Sequence, residues 1–195
     1  MANICDTTYK ITGSHDVVNG LFKVLQQLDK QKRSNIGLCE LAAYYGIDYE
    51  NESISVRGEI YYFDMDENND VLTIDVESAW TGCHELFRSI KTKLSDELSI
   101  SYREIECGCG IYCVHDEYDF FPAQCLVSAN GEPFEDCMEA PYDTVSDAID
   151  YWCESMDIAR NGRSDEEMMA IINDYEYENE DTYFYINEFE FEYDY

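Results

Sequence analysis

Cys107, Cys109, Cys113 and His115 form a C-x-C-x3-C-x-H cluster whose side chains are of the types that hold Zn²⁺. Zinc knuckles usually place two residues between paired cysteines. Alternation along a strand would also spread 107, 109 and 113 too far apart for one ion. Tight turns through Gly108 and Gly110 explain the segment better, so no metal is expected here. Asp64, Asp66, Asn68 and Asp70 sit at alternate positions, like the first ligands of a calcium loop. Asn69 stands where that loop needs Gly, Asp75 where it needs Glu, and the flanks read as strands; a polar hairpin turn fits better. His15 and His84 each fall in the first turn of a predicted helix, where surface or capping duty is the default. No P-loop, dinucleotide-binding, nucleophile-elbow or metalloprotease motif occurs. No catalytic residue set and no cofactor is indicated.

Charge is the clearest feature. The 195 residues include 12 Lys+Arg and 43 Asp+Glu, a formal net charge of −31. Residues 1–103 hold 10 basic and 17 acidic residues, whereas residues 104–195 hold 2 basic and 26 acidic. Such a field repels nucleic acid phosphates and attracts basic surfaces. Direct DNA binding is therefore not expected, and a basic protein surface is the expected partner. The local candidate is the acid row Glu188, Glu190, Glu192 and Asp194, at alternate positions of a C-terminal strand. Same-face residues on a strand lie about 6.6 to 6.8 Å apart, near the separation of successive phosphates on one DNA strand. The sharp reading is a nucleic acid mimic that blocks a defence or DNA-binding protein. The plain reading is a solvated face that maintains solubility.

Two other functions remain open. Arg57, Tyr61 and Phe63 are expected to share the sheet side opposite Ile60 and Tyr62, as a stacking platform for RNA or a small ligand. The competing reading has the C-terminal part of the chain covering that face. A hydrolase with paired carboxylates is the third possibility.

These residues need a scaffold, and the periodicity supplies one. Cys5 to Ile11 alternates as a strand. Ser14 can cap a helix with an apolar stripe from Val17 to Leu28. A short helix over 38–45 ends at Gly46. Ile54 to Tyr62 and Leu72 to Trp80 form a β-hairpin around the polar turn 64–70. A second helix carries Cys83, Leu86, Phe87, Ile90 and Leu94, and a strand follows over 98–103. Setting the short helix aside, the order is β-α-β-β-α-β, the ferredoxin-like pattern, with both main helices on one face of an antiparallel four-stranded sheet. The fold class expected is α+β: a ferredoxin-like core over 1–115 and an acidic α+β extension over 116–195 packed on it. In the extension, strands are expected near 110–115 and 122–129. Helices should start at Asp143 or Thr144 and at the capping box Ser164 to Glu167. A strand over 183–195 should bury its odd-numbered aromatics and expose its acids.

The stretch Ala2-Asn3-Ile4-Cys5-Asp6-Thr7-Thr8-Tyr9-Lys10-Ile11-Thr12-Gly13 and the later run from Ala79-Trp80 to Glu104-Ile105-Glu106-Cys107-Gly108-Cys109-Gly110-Ile111-Tyr112 resemble the YubB-type ferredoxin-like domain family of bacterial plasmids, phages and mobile elements. The resemblance covers roughly the first 115 residues. It implies a fold and a mobile-element setting but brings no catalytic residues.

The first residues lack a basic region followed by an apolar run, so no secretory signal is expected. No stretch approaches the roughly 18 apolar residues of a membrane span. Nine cysteines, an odd and scattered set, read as mostly reduced thiols in a cytoplasmic protein.

Overall fold

The structure is a computed structural model and describes residues 3–30, 35–66 and 68–192. The chain is α+β and divides into two compact units. One comprises residues 1–121 with 191–195, the other residues 122–190. The division thus falls after Phe121 rather than after residue 115, and the end of the chain belongs with the first unit. Among the described residues, no helix is long and apolar enough to cross a membrane.

In the first unit, strand β1 (Ile4–Thr12) buries Cys5, Thr7, Tyr9 and Ile11 and turns Asp6 outward. Helix α1 (His15–Asp29) follows. Ser14 occupies its N-cap, but the side chain makes no capping bond; the Ser14 carbonyl accepts from Val17 and Val18 N–H instead. Strand β2 (Ile36–Gly37) and helix α2 (Leu38–Tyr44) come next. The long hairpin of β3 (Gly58–Asp66) and β4 (Val71–Ala79) leads into α3 (His84–Leu94), β5 (Ser99–Glu106) and β6 (Ile111–His115). The strand order is β10-β6-β5-β1-β4-β3-β2, where β10 is Glu190–Glu192. The pairings of β1 with β4 and β5, β3 with β4, and β5 with β6 are all antiparallel. Leu21 and Leu25 of α1, Leu41 of α2 and Phe87 and Ile90 of α3 join Tyr9, Ile11, Leu72, Ile74 and Val76 in one core. All three helices therefore lie on the face of β1 that carries Tyr9.

In the second unit, β7 (Cys125–Asn130) stands between β8 (Met138–Tyr142) and β9 (Tyr183–Glu188). Helices α4 (Val145–Met156) and α5 (Asp165–Asn173) supply Ala148, Ile149, Trp152, Met168 and Ile172, which pack on Val127, Ala129, Phe184 and Ile186. Thr144 caps α4 by accepting from Asp147 N–H at 3.1 Å. The Ser164–Glu167 capping box forms in both directions, at 3.2 and 2.9 Å, a feature that contributes about 1 kcal/mol.

The C-terminal strand departs from its expected pattern. Phe184 and Ile186 are buried while Tyr183 and Tyr185 are exposed, the reverse of the expected phase. Phenols tolerate water at their hydroxyl tips better than Phe or Ile do, which decides which pair turns inward. The phase changes before Phe189, which is buried again. The run is not one strand but two, β9 in the three-stranded sheet and β10 in the other.

Candidate functional site

The first unit gathers its chemistry around a buried carboxylate. β5 brings Tyr102, Glu104 and Glu106 to its inward face, where an acid must find donors or stay protonated. Glu104 is 5% exposed and finds four donors. Its Oε1 accepts from Thr81 Oγ1 at 2.6 Å, Gly82 N at 2.7 Å and Cys5 Sγ at 3.3 Å. Its Oε2 faces His84 Nε2 at 2.8 Å. Burial alone would raise the Glu104 pKa. The bonds from His84, Thr81 and Gly82 outweigh it and hold the carboxyl down at about 2. An ionised carboxylate only accepts, so Nε2 of His84 carries a proton, and Nδ1 lies 3.1 Å from the Tyr9 hydroxyl.

Aromatic contacts hold this imidazole as firmly as the hydrogen bonds do. The His84 ring stacks on Tyr102 with centroids 3.8 Å apart, and Tyr102 stacks in turn near His115 at 5.3 Å. The Tyr102 hydroxyl donates to Glu192 at 2.9 Å. Gly82 makes the arrangement possible, since a Cβ there would lie 2.5 Å from the His84 ring.

A His–Glu pair suggests a base, but its neighbours do not suit nucleophilic chemistry. Burial pushes the Cys5 thiol up to about 12 and the Tyr9 phenol well above its ordinary value. Both imidazole nitrogens are already engaged. The arrangement fixes a ring in place; it does not activate an attacking group.

The second unit presents charge. Residues 122–190 hold 19 Asp and Glu against Arg160 and Arg163. All of these acids are exposed except Asp165, which is half-buried. Arg160 is bound to Asp150 at 2.9 Å and to Asp165. Along α4, Asp147, Asp150, Glu154 and the C-cap Asp157 recur at intervals of three and four residues, opposite Ile149, Trp152 and Cys153. The sequence reading missed this helical acid row; its signal was the same 3.6-residue period that marked the apolar stripe.

The acid row expected on one strand is divided. Glu188 closes β9, Glu190 and Glu192 lie on β10, and Asp194 lies outside the described residues. Glu192 is also engaged by Tyr102. A continuous phosphate-like spacing along a single strand is therefore not formed.

The Arg57, Tyr61 and Phe63 platform is likewise not assembled. A β-bulge lies between Ile60 and Tyr62, so Tyr61 has no partner in β4 and the alternation inverts beyond it. Phe63 turns to the helix side, edge-on to Phe22 at 5.9 Å. Tyr61 stays on the open face and donates to Asp6 at 3.1 Å, while Arg57 precedes β3 and is exposed.

The cysteine–histidine cluster is spread out. Cys107 and Cys109 are exposed in the β5–β6 turn, Cys113 pairs with Glu104 across the ladder, and His115 pairs with Tyr102. Glu106 organises that turn by accepting from Gly108 and Cys109 N–H, and Gly110 adopts φ +69°. Among the described residues, no three His, Cys, Asp or Glu side chains are placed to hold a metal ion. The 64–70 segment is a hairpin turn in which Asp66 accepts from Asn68 N–H and the Asn69 amide.

Compared with family models, curated proteins and solved structures, the chain gives no match.

Proposed function

We propose that this is a binding protein that acts through the acidic surface of residues 122–190 on a basic partner, as a mimic of nucleic acid. One observation carries the reading: 18 of the 19 carboxylates in that unit are exposed, and one of its two cations is held by its own acids. A folded unit in that state needs counter-charge from outside, and a basic groove built for phosphates supplies it. The helical acids Asp147, Asp150, Glu154 and Asp157 support this reading better than the divided row at 188–194. The partner class is a nucleic-acid-binding protein, and a cytoplasmic setting accords with nine cysteines none of which is in a disulfide.

The order β5-β1-β4-β3 with α1 and α3 on one side supports a ferredoxin-like core as the scaffold of the first unit. Kinship with YubB-type domains rests on the quoted sequence stretches alone. Affinity capture from the native host tests the function. DNA- or RNA-binding proteins should be retained, released by salt, and displaced by duplex DNA. Retention that ignores salt, or no retention, would sink the proposal.

A further inference from the structure

The second unit has an open hollow between the turn at 131–136 and the loop at 175–182. It is ≈ 1090 Å³, counted to its mouth, at the upper end of the size of small-molecule sites. Glu132, Asp136, Glu176 and Glu178 stand along it, and neither arginine of the unit does. All four acids are exposed. Among the described residues their carboxylates accept no hydrogen bond and pair with no cation.

The inner wall is of a different character. Tyr175 and Tyr177 are half-buried there, with ring centroids 4.9 Å apart. Trp152 of the core holds both. Its indole N–H donates to the Tyr177 hydroxyl at 2.9 Å, and Tyr175 stands edge-on to it at 5.4 Å. Met156 and Pro133 add apolar surface. Thr182 lines the same hollow and is 7% exposed, yet its hydroxyl has no hydrogen-bond partner among the described residues. Buried hydroxyls are seldom left so. Gly131 keeps this one open, since a Cβ there would lie 2.6 Å from Thr182 Oγ1.

We infer that this hollow binds a linear aliphatic polyamine. An ammonium only donates, and the four carboxylates and the Thr182 hydroxyl can all accept. Among the described residues no three His, Cys, Asp or Glu side chains are placed to hold one metal ion, so these carboxylates are too widely set to share a point charge. A chain whose charges are separated by short methylene runs spans them. Its methylenes pack on the Tyr175 and Tyr177 rings, Met156 and Pro133, and an ammonium over a ring face gains a cation–π contact. The site lies within one unit and takes a small molecule, so it stands whether or not the α4 surface meets a basic protein.

NMR titration of the whole protein with spermine at about 150 mM salt tests the inference, since that ionic strength suppresses diffuse attraction to the acidic surface. The amide signals of Gly131 and Thr182 and the methyl signal of Met156 should shift saturably and together. Mg²⁺ should bind about tenfold or more weakly. Glu176→Gln with Glu178→Gln should weaken spermine by about tenfold or more. Asp143→Asn with Glu166→Gln removes as much charge from the same unit at residues that do not line the hollow, and should weaken it by less than about twofold. Thr182→Val should fold as the parent does, because its hydroxyl has no partner to lose, and should weaken spermine by about fivefold. The inference is overturned by the absence of saturable shifts at those three residues, by equal binding of Mg²⁺, by a control pair that weakens binding as much as Glu176→Gln with Glu178→Gln does, or by Thr182→Val binding as the parent does.

Discussion

Nε2 of His84 lies 2.8 Å from Oε2 of Glu104, joining the first turn of α3 to the centre of β5 across 20 residues of sequence. The carboxylate behind it is buried, fully supplied with donors, and therefore ionised over nearly the whole pH range. That one contact ties the helix to the sheet.

Acid should expose its contribution. The folded pKa of Glu104, about 2, lies below the ordinary 4.5. A depressed carboxyl stabilises the fold above the unfolded pKa, and that stability is lost as pH falls through the folded one. At neutral pH the difference corresponds to on the order of 3 kcal/mol. Glu104→Gln should therefore be less stable than the parent at pH 7 in urea unfolding. The gap should close between about pH 4.5 and pH 2, the window those two values define. A gap that stays constant with pH would show that the charge of Glu104 is not what matters.

Gly82→Ala should act on the same contact from the other side. The added Cβ would meet the His84 ring at 2.5 Å and the Thr7 hydroxyl at 3.1 Å. The ring is the end of a movable side chain, so it should swing off Glu104 without unfolding the unit. The expected result is a loss of about 1 to 3 kcal/mol together with a changed His84 imidazole spectrum. An unchanged spectrum would mean that the backbone, not the ring, gives way.

Much of the scaffold was legible because single periods run through it. Cys5, Thr7, Tyr9 and Ile11 alternate cleanly, and Val145, Ala148, Ile149 and Trp152 keep one helical stripe. The errors come where a period slips. One extra residue at Tyr61 turns Phe63 to the opposite face, and local alternation cannot register an insertion that only the partner strand defines. At 183–186 both phases are aromatic or aliphatic, so the pattern alone could not choose between them. The Glu104–His84 site was hidden for another reason: its members meet only through tertiary packing. Its one local signal was an acid on the inward phase of β5, in step with Tyr102.

Thiol reactivity should sort the cysteines by burial. Cys39, Cys107, Cys109 and Cys137 are exposed, whereas Cys5, Cys83, Cys125 and Cys153 are buried. Burial also pushes Cys5 up to about 12 and Cys125 up to about 11, leaving little thiolate at neutral pH. Titration of the native protein with a disulfide reagent should modify the exposed group quickly. The buried group should react only after denaturant is added. Fast native reaction at Cys5 or Cys125 would contradict the packing of both cores.

Phe63→Ala and Tyr61→Ala should separate the platform reading from the bulge. Phe63 packs between sheet and helix beside Phe22, so its truncation should cost about 2 to 4 kcal/mol, near the range for buried aromatics. Tyr61 is 42% exposed and bonded to Asp6; removing it should cost about 1 kcal/mol or less. Were the two on one open face, their losses would be similar and small. Equal losses in thermal or urea unfolding would restore the stacking platform, and unequal ones place Phe63 in the core.

Salt should stabilise the parent protein before any partner is added. The 19 acids of residues 122–190 repel one another across a surface with two arginines, and screening relieves exposed like charges most. The melting temperature should rise from about 10 mM to about 300 mM salt, ionic strengths that span long to short Debye lengths. Asp147→Lys together with Glu154→Lys on the exposed side of α4 should raise it at low salt and reduce its salt dependence. The same pair should weaken capture of a basic partner, because it places cations where the proposed mimic needs acids. A variant that gains low-salt stability yet keeps full, salt-sensitive capture would move the partner surface off α4.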